Sequence, residues 1–224
     1  MDFEIIEGGV TSPKGFVSAG ISCGIKKRSS KDLALIKSIS PCNSAGVYTK
    51  NIVKGAPLIV TKKHLENKRA QAVIANSGNA NTCTGEEGLK NAEEMCEYTA
   101  RELKIAKEDV LVASTGIIGV KLDIEAIKNA VPDLVKKLDK DGYKDASKAI
   151  MTTDTCEKTI AIKLELGGKT VTVGVMAKGS GMIHPNMGTM LSFITTDVNI
   201  NPDLLDKALK ESVRISYNRV SVDG

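Results

Sequence analysis

Tryptophan is absent, and aromatic residues make up only 3% of the 224-residue sequence. Platforms on which the bases of single-stranded nucleic acid could stack are therefore missing. Charge of one sign is scarce too: 31 Lys+Arg against 27 Asp+Glu leaves +4, interspersed along the chain. Neither nucleic acid nor an anionic membrane is called for as a partner. The five cysteines are odd in number, show no CxxC spacing and are joined by only two histidines, which disfavours a disulfide framework and a metal site. No apolar run approaches bilayer length, and the N-terminal MDFEIIEGGV has two early acids and no long apolar core. A reducing cytoplasm is the expected compartment, with small polar molecules as partners.

What remains is 42% hydrophobic against 26% charged residues, enough for one large domain or two small ones. Short apolar runs around residues 34 to 36 and at 57 to 61, 72 to 76 and 110 to 114 read as buried strands by length and β-branching. Thr84-Gly85-Glu86-Glu87 has capping-box spacing and opens a helix with Leu89, Ala92, Cys96, Ala100 and Leu103 on one face. A second helical stretch starts near Asp123, carrying Ile124, Ile127, Leu134, Val135 and Leu138, with Pro132 expected to break or restart it. Residues 159 to 166 and 170 to 178 alternate around Gly167-Gly168-Lys169, a hairpin signal. Asn201, Pro202 and Asp203 make a good start for a last helix, with Leu204, Leu205, Ala208, Leu209 and Val213 facing inward. There is no internal repeat or low-complexity linker, and the mixture reads as α/β or α+β.

Three stretches are rich enough in glycine and small polar residues to carry chemistry. Lys178 to Gly188 is a Gly- and Pro-punctuated loop running into Thr189-Met190-Leu191; locally, a connector followed by a strand is the favoured reading. It is no Walker loop, since its Lys precedes its glycines. Ala113-Ser114-Thr115-Gly116 follows a predicted strand and could face an oxyanion, or could be an ordinary turn. Residues 76 to 85, NSGNANTCTG, are unusually dense in small polar residues for a plain loop. Cys83 within them reads as a buried small hydrophobe, and His64 and His184 lack any neighbouring triad signature.

Taken in order, GGVTSPKGF at 8 to 16, NSGNANTCTG, ASTGIIG at 113 to 119, MTTDT at 151 to 155, KGSGMIHPNMGTML at 178 to 191 and YNRVSVDG at 217 to 224 resemble the ornithine acetyltransferase (glutamate N-acetyltransferase) family. That resemblance implies an α/β fold that cuts its own chain before a threonine, here at Gly188–Thr189. It divides the sequence into a first subunit, 1–188, and the start of a second, 189–224. Thr189 would be the nucleophile and a substrate-binding residue, Thr115 and Gly116 the oxyanion hole, and Thr152 and Lys178 further substrate-binding positions. A freed α-amino group, with a pKa of roughly 7.7–8.0 against about 10.4 for Lys, suits a base near neutrality. The acetyl group would pass from N-acetylornithine to glutamate, in arginine biosynthesis, with no metal or cofactor.

Some members of that family also use acetyl-coenzyme A as donor, and no nucleotide fingerprint here decides the matter. Full-length members assemble as heterotetramers of two alpha and two beta chains. The chain departs from the family at Gly188, where Ala is common, and at Cys156-Glu157-Lys158, where Pro-Lys is common. The family pattern runs on past Gly224 into further acceptor-site residues, so RVSVDG is expected to form an unpaired edge strand. Two other readings stand beside the acetyltransferase: a Thr-nucleophile amide hydrolase, and a shortened, non-enzymatic interaction module.

Overall fold

In the computed structural model, residues 2–27, 30–186 and 189–223 are described. The elements in chain order are β1 (Phe3–Ile6), β2 (Phe16–Ile21), β3 (Leu33–Asn43), α1 (Ala56–His64), β4 (Arg69–Asn79), α2 (Gly85–Leu103), β5 (Val110–Ile117), α3 (Ile124–Lys136), α4 (Tyr143–Ile150), β6 (Lys158–Leu166), β7 (Lys169–Lys178), β8 (Leu191–Thr196) and α5 (Pro202–Ile215). They form two four-stranded sheets, ordered β1-β6-β7-β8 and β2-β3-β4-β5; β5 runs parallel to β4 and the other pairs are antiparallel. This is the mixed α/β architecture expected.

The β2–β5 sheet is buried on both faces, which is why its strands read as unbroken apolar runs. Leu33, Leu35, Ala72, Ile74, Val110 and Val112 point to one side, against α1, α2 and α3. Ala34, Ile36 and Ala75 point to the other, against Tyr143, Ala146, Ala149 and Ile150 of α4 and against Met176 of β7. Helix α4 thus lies between the two sheets. It has no counterpart in the sequence reading: Tyr143, Ala146, Ala149 and Ile150 mark a buried helical face, but eight residues make only about two turns. Gly20 admits it, because a Cβ there would lie 2.0 Å from the Asp145 carbonyl oxygen.

The 57 to 61 run is a correction. It forms α1, not a strand. Pro57 sits in the first turn, where its missing N–H costs no intrahelical bond. Thr61 and His64 then serve the free edge of β5: the Thr61 hydroxyl donates to the Val112 carbonyl at 2.7 Å and accepts the Val112 N–H at 2.8 Å, and His64 Nδ1 lies 2.7 Å from the Val110 oxygen. A tertiary contact with an edge strand outweighs local β propensity.

Other boundaries are refined. Thr84 precedes α2 without making a side-chain cap; its hydroxyl donates to Asn81 Oδ1 at 2.8 Å instead. The buried face of α2 takes in Asn91, Met95 and Thr99 beside Ala92, Cys96 and Ala100, while Leu89 lies at the rim. Pro132 does not break α3, because Ile127, Val131 and Leu134 bury both halves together; Asp123 caps the helix through the Ala126 N–H. The hairpin joins Leu166 to Lys169 through Gly167 and Gly168, at φ 59° and 73°, as a two-residue primed turn requires. Asn201 caps α5 as expected, yet no α5 residue is buried. Leu205, Leu209 and Val213 face an open cavity, and Leu204 is 61% exposed. The C-terminal stretch is not an unpaired edge: Val222 exchanges both backbone hydrogen bonds with Ile183, at 2.8 and 3.0 Å.

Candidate active site

Alternation along β7 buries Thr172, Gly174 and Met176 on the inner face, and the same period carries Lys178 inward at the strand's end. A lysine 5% exposed needs partners for its ammonium group. It donates to Thr115 Oγ1 at 3.0 Å and to the Thr189 carbonyl at 3.3 Å. Burial pushes the Lys178 pKa down; the negative field of Asp154 opposes this, and Lys158 adds to it. Because Thr115 accepts from Lys178, its own hydroxyl proton is free to point at a third oxygen. Three of the residues singled out by sequence are therefore one connected chain: Thr115, Lys178, Thr189.

Gly116 lies next to Thr115 at φ 134°, paired with Gly78 of β4. A Cβ at Gly116 would sit 2.3 Å from the Gly78 carbonyl carbon and 2.5 Å from the Asn79 nitrogen. Only glycine fits. The segment is strand through Ile117, so the alternative of a plain turn at Ser114-Thr115-Gly116 falls away. The polar stretch at 76 to 81 is what braces it. The Ser114 hydroxyl donates to Asn76 Oδ1 at 2.6 Å, and Asn79 Nδ2 donates to the carbonyls of Val120 and Lys121 at 3.0 and 3.1 Å. Asn81 Nδ2 donates to the Gly88 carbonyl at 2.8 Å. Satisfied networks of this kind rigidify what they bury.

Between β7 and β8 runs the loop that holds Thr189. Its backbone φ is +82°, a left-handed conformation that costs a β-branched residue roughly 1–3 kcal/mol. The surroundings enforce it. Lys178 holds the Thr189 carbonyl, and the Thr189 hydroxyl donates to the Met182 carbonyl. The Asn186 carbonyl accepts from the Lys50 N–H at 3.0 Å and the Thr49 hydroxyl at 2.9 Å. Gly188, the other side of the expected cleavage bond, lies outside the described residues. His184 sits 3.4 Å from Ser221 Oγ and completes no triad with the residues above.

Thr152 is exposed and joins the site through a residue the sequence reading passed over. The Asp154 side chain, 1% exposed, accepts the Thr152 N–H at 3.2 Å, the Gly179 N–H at 2.8 Å and the Lys158 ammonium at 2.7 Å. Burial alone would push this carboxyl up; Lys158 and the two N–H groups outweigh burial and hold the pKa to about 2. Lys26 was missed as well. Its stem lies along Gly78, its ammonium donates to the Met151 and Lys31 carbonyls at 2.7 and 2.9 Å, and burial lowers its pKa. The only signal for Asp154 was its place inside MTTDT; Lys26 had none.

Lys26, Thr115, Gly116, Thr152, Lys178 and Thr189 line one open cavity of about 3190 Å³. Among the described residues, no group of three His, Cys, Asp or Glu is placed to hold a metal, and no helix is long and apolar enough to cross a membrane. Burial raises the Cys23 and Cys96 pKa values to about 12, with the Asp32 carboxylate adding to the shift at Cys23. Cys83, expected to be buried, is exposed at φ 59°, because the loop turns outward before α2.

A family model described as the ArgJ family matches residues 17–224. The chain belongs to the ArgJ family. The arginine biosynthesis bifunctional protein ArgJ of Symbiobacterium thermophilum is 50% identical over 223 residues, 99% of this chain and 56% of that protein. The crystal structure of the arginine biosynthesis bifunctional protein from Bacillus halodurans matches with a TM-score of 0.79 and 44% identity, over 85% of this chain and 98% of that one. Ornithine acetyltransferase from Mycobacterium tuberculosis, solved with ornithine, matches at 0.78 and 37%, over 85% and 100%. The fold is thus that of ornithine acetyltransferases, and this ArgJ chain spans a little more than half the length of the curated relatives it matches.

Proposed function

We propose that this chain carries the donor half of an acetyltransferase that moves the acetyl group of N2-acetyl-L-ornithine to L-glutamate in arginine biosynthesis, through an ester on Thr189. The observation that carries the reading is the strained Thr189, tied through Lys178 to Thr115. The relatives' names point to the same pathway, and one solved relative holds ornithine.

Self-cleavage comes first. The Thr189 hydroxyl leaves Met182, attacks the Gly188 carbonyl and takes over its acyl group as an ester while the Thr189 nitrogen becomes an amine. Water then opens the ester, leaving a Gly188 carboxylate and a free Thr189 hydroxyl. Release of left-handed backbone strain favours the shift. Gly188 in place of the usual Ala has no Cβ to obstruct attack. The cut would divide the chain into 1–188 and 189–224.

In turnover, the Thr189 amine accepts the hydroxyl proton as the oxygen attacks the acetyl carbonyl, and returns it to the departing ornithine amine. The Thr115 hydroxyl and the Gly116 N–H face the developing oxyanion; losing one such donor costs about 2.7–4 kcal/mol of transition-state stabilisation. Lys178 and Thr152 hold the substrate carboxylate and amide. Glutamate's amine then takes the acetyl group. Two alpha and two beta chains form the assembly we expect, the five free cysteines fit a reducing cytoplasm, and acetyl-coenzyme A is a second donor to be tested alongside.

Intact-mass measurement of the purified chain tests the first step: fragments meeting at Gly188/Thr189 that vanish in Thr189→Ala support it, and an uncut chain contradicts it. The openness of the cavity to water favours one second reading, hydrolysis of the same ester. Products formed with and without glutamate separate the two.

A further inference from the structure

We propose that Asp154 is a positioning residue of the donor pocket: its buried carboxylate, ion-paired with Lys158, clamps the Thr152 loop to the Lys178–Gly179 strand end and puts a negative charge where that strand end carries Lys178. This rests on the acetyltransferase reading only for the identity of the substrate.

The geometry carries the clamp. Thr152 and Lys178 lie on separate segments, the 151–157 loop and the end of β7. Asp154 Oδ2 accepts the Thr152 N–H at 3.2 Å, and Oδ1 accepts the Gly179 N–H at 2.8 Å. One carboxylate therefore sets the spacing between the two substrate-binding positions. Lys26 grips the preceding residue from the other side, through the Met151 carbonyl at 2.7 Å. With Asp154 removed, Thr153 to Ser180 at 2.7 Å would remain as a hydroxyl contact between the loop and the segment that follows β7.

Charge carries the second part. Lys178 and Lys26 are both drawn out of water; Lys178 disfavours the Lys26 ammonium, and Lys158 disfavours that of Lys178. Asp154 acts on both lysines in the opposite sense, and Asp32 supports Lys26 as well. A substrate carboxylate is held by ammonium, not amine, so keeping Lys178 charged keeps the pocket selective for anions.

The test compares Asp154→Asn, which keeps the shape and removes the charge, and Asp154→Glu, which keeps the charge and moves it, in the full chain. Glu157→Gln, from a surface pair with Lys148 at 3.4 Å, is the control. With 13C-labelled lysine, the Lys178 resonance is assigned by its loss in Lys178→Arg and titrated. In Asp154→Asn its midpoint moves to lower pH; in Glu157→Gln it does not. In acetyl transfer, both Asp154 variants raise KM for N-acetylornithine by about tenfold or more, with a smaller change in kcat. A folded Asp154→Asn protein with an unmoved Lys178 midpoint overturns the proposal. If Asp154→Asn does not fold, an unchanged KM in Asp154→Glu overturns it. A wild-type chain that transfers no acetyl while the midpoint still moves sinks the acetyltransferase reading and leaves the charge pairing intact.

Discussion

At the scale of residues, the site depends on a few groups held where water would otherwise satisfy them better. Lys178 is the hub, since it donates to both Thr115 and Thr189. Lys178→Ala should reduce acetyl transfer on the order of 10²-fold or more and slow self-cleavage, whereas Lys178→Arg retains binding but misplaces the charge; steady-state rates and intact mass check both. Asp154 makes stability depend on acid. Its folded pKa, about 2, lies below the ordinary carboxylate value of 3.8, so its stabilisation is complete above about pH 4 and is lost as pH falls through 2. The contribution is about 2 kcal/mol, and denaturant melts between pH 5 and 2 should show a flatter profile in Asp154→Asn. Thr189, Lys178, Thr115 and Gly116 were legible because each sits in a long motif. Lys26 was not, and Asp154 only by its place in MTTDT, because the partners of both lie on distant segments.

At the scale of elements, legibility followed how far each element's signals were its own. The β6–β7 hairpin and the α5 start are specified by turn and cap residues a few positions apart, and both stand where the sequence placed them. Helix α1 is specified by β5, some fifty residues away, so its β-branched residues misled. Thr61→Val should cost about 1–3 kcal/mol by leaving the Val112 N–H and carbonyl without their partner, read by denaturant melts. A resulting loss below about half a kcal/mol would mean that water reaches this edge. Gly116→Ala should be worse, since its Cβ would meet the backbone of β4 and not a movable side chain. The buried face of α5 failed as an expectation for the opposite reason: its amphipathic pattern is real, but its apolar stripe looks into the open cavity.

At the scale of the whole molecule, the two faces of the β1-β6-β7-β8 sheet differ sharply. The inner face packs on α4 through Met176 and on the segment from Gly8 to Pro13 through Ala161 and Gly174. The outer face carries the rows Phe3–Leu164–Val171, Ile5–Ile162–Val173 and Ile160–Val175–Ile194. Phe3 and Ile5 are 62% and 65% exposed. A contiguous apolar face of this kind should bind a dye that fluoresces in apolar clefts, and Ile162→Lys, at its centre, should lower that signal without loss of helix content. The apolar stripe of α5, Leu205, Leu209 and Val213, opens onto the same cavity as Leu164, Val171 and Val173 of this face. The central claim, however, is chemical and is the proposal above: the Thr189 hydroxyl oxygen is the atom that carries the acetyl group. The most direct measurement is to incubate the chain with N-acetylornithine without glutamate, quench, and map the modified peptide by mass spectrometry. The account predicts one added acetyl group on the peptide that begins with Thr189, lost on adding glutamate and absent in Thr189→Ala; an acetyl group on another residue, or one that survives Thr189→Ala, would contradict it.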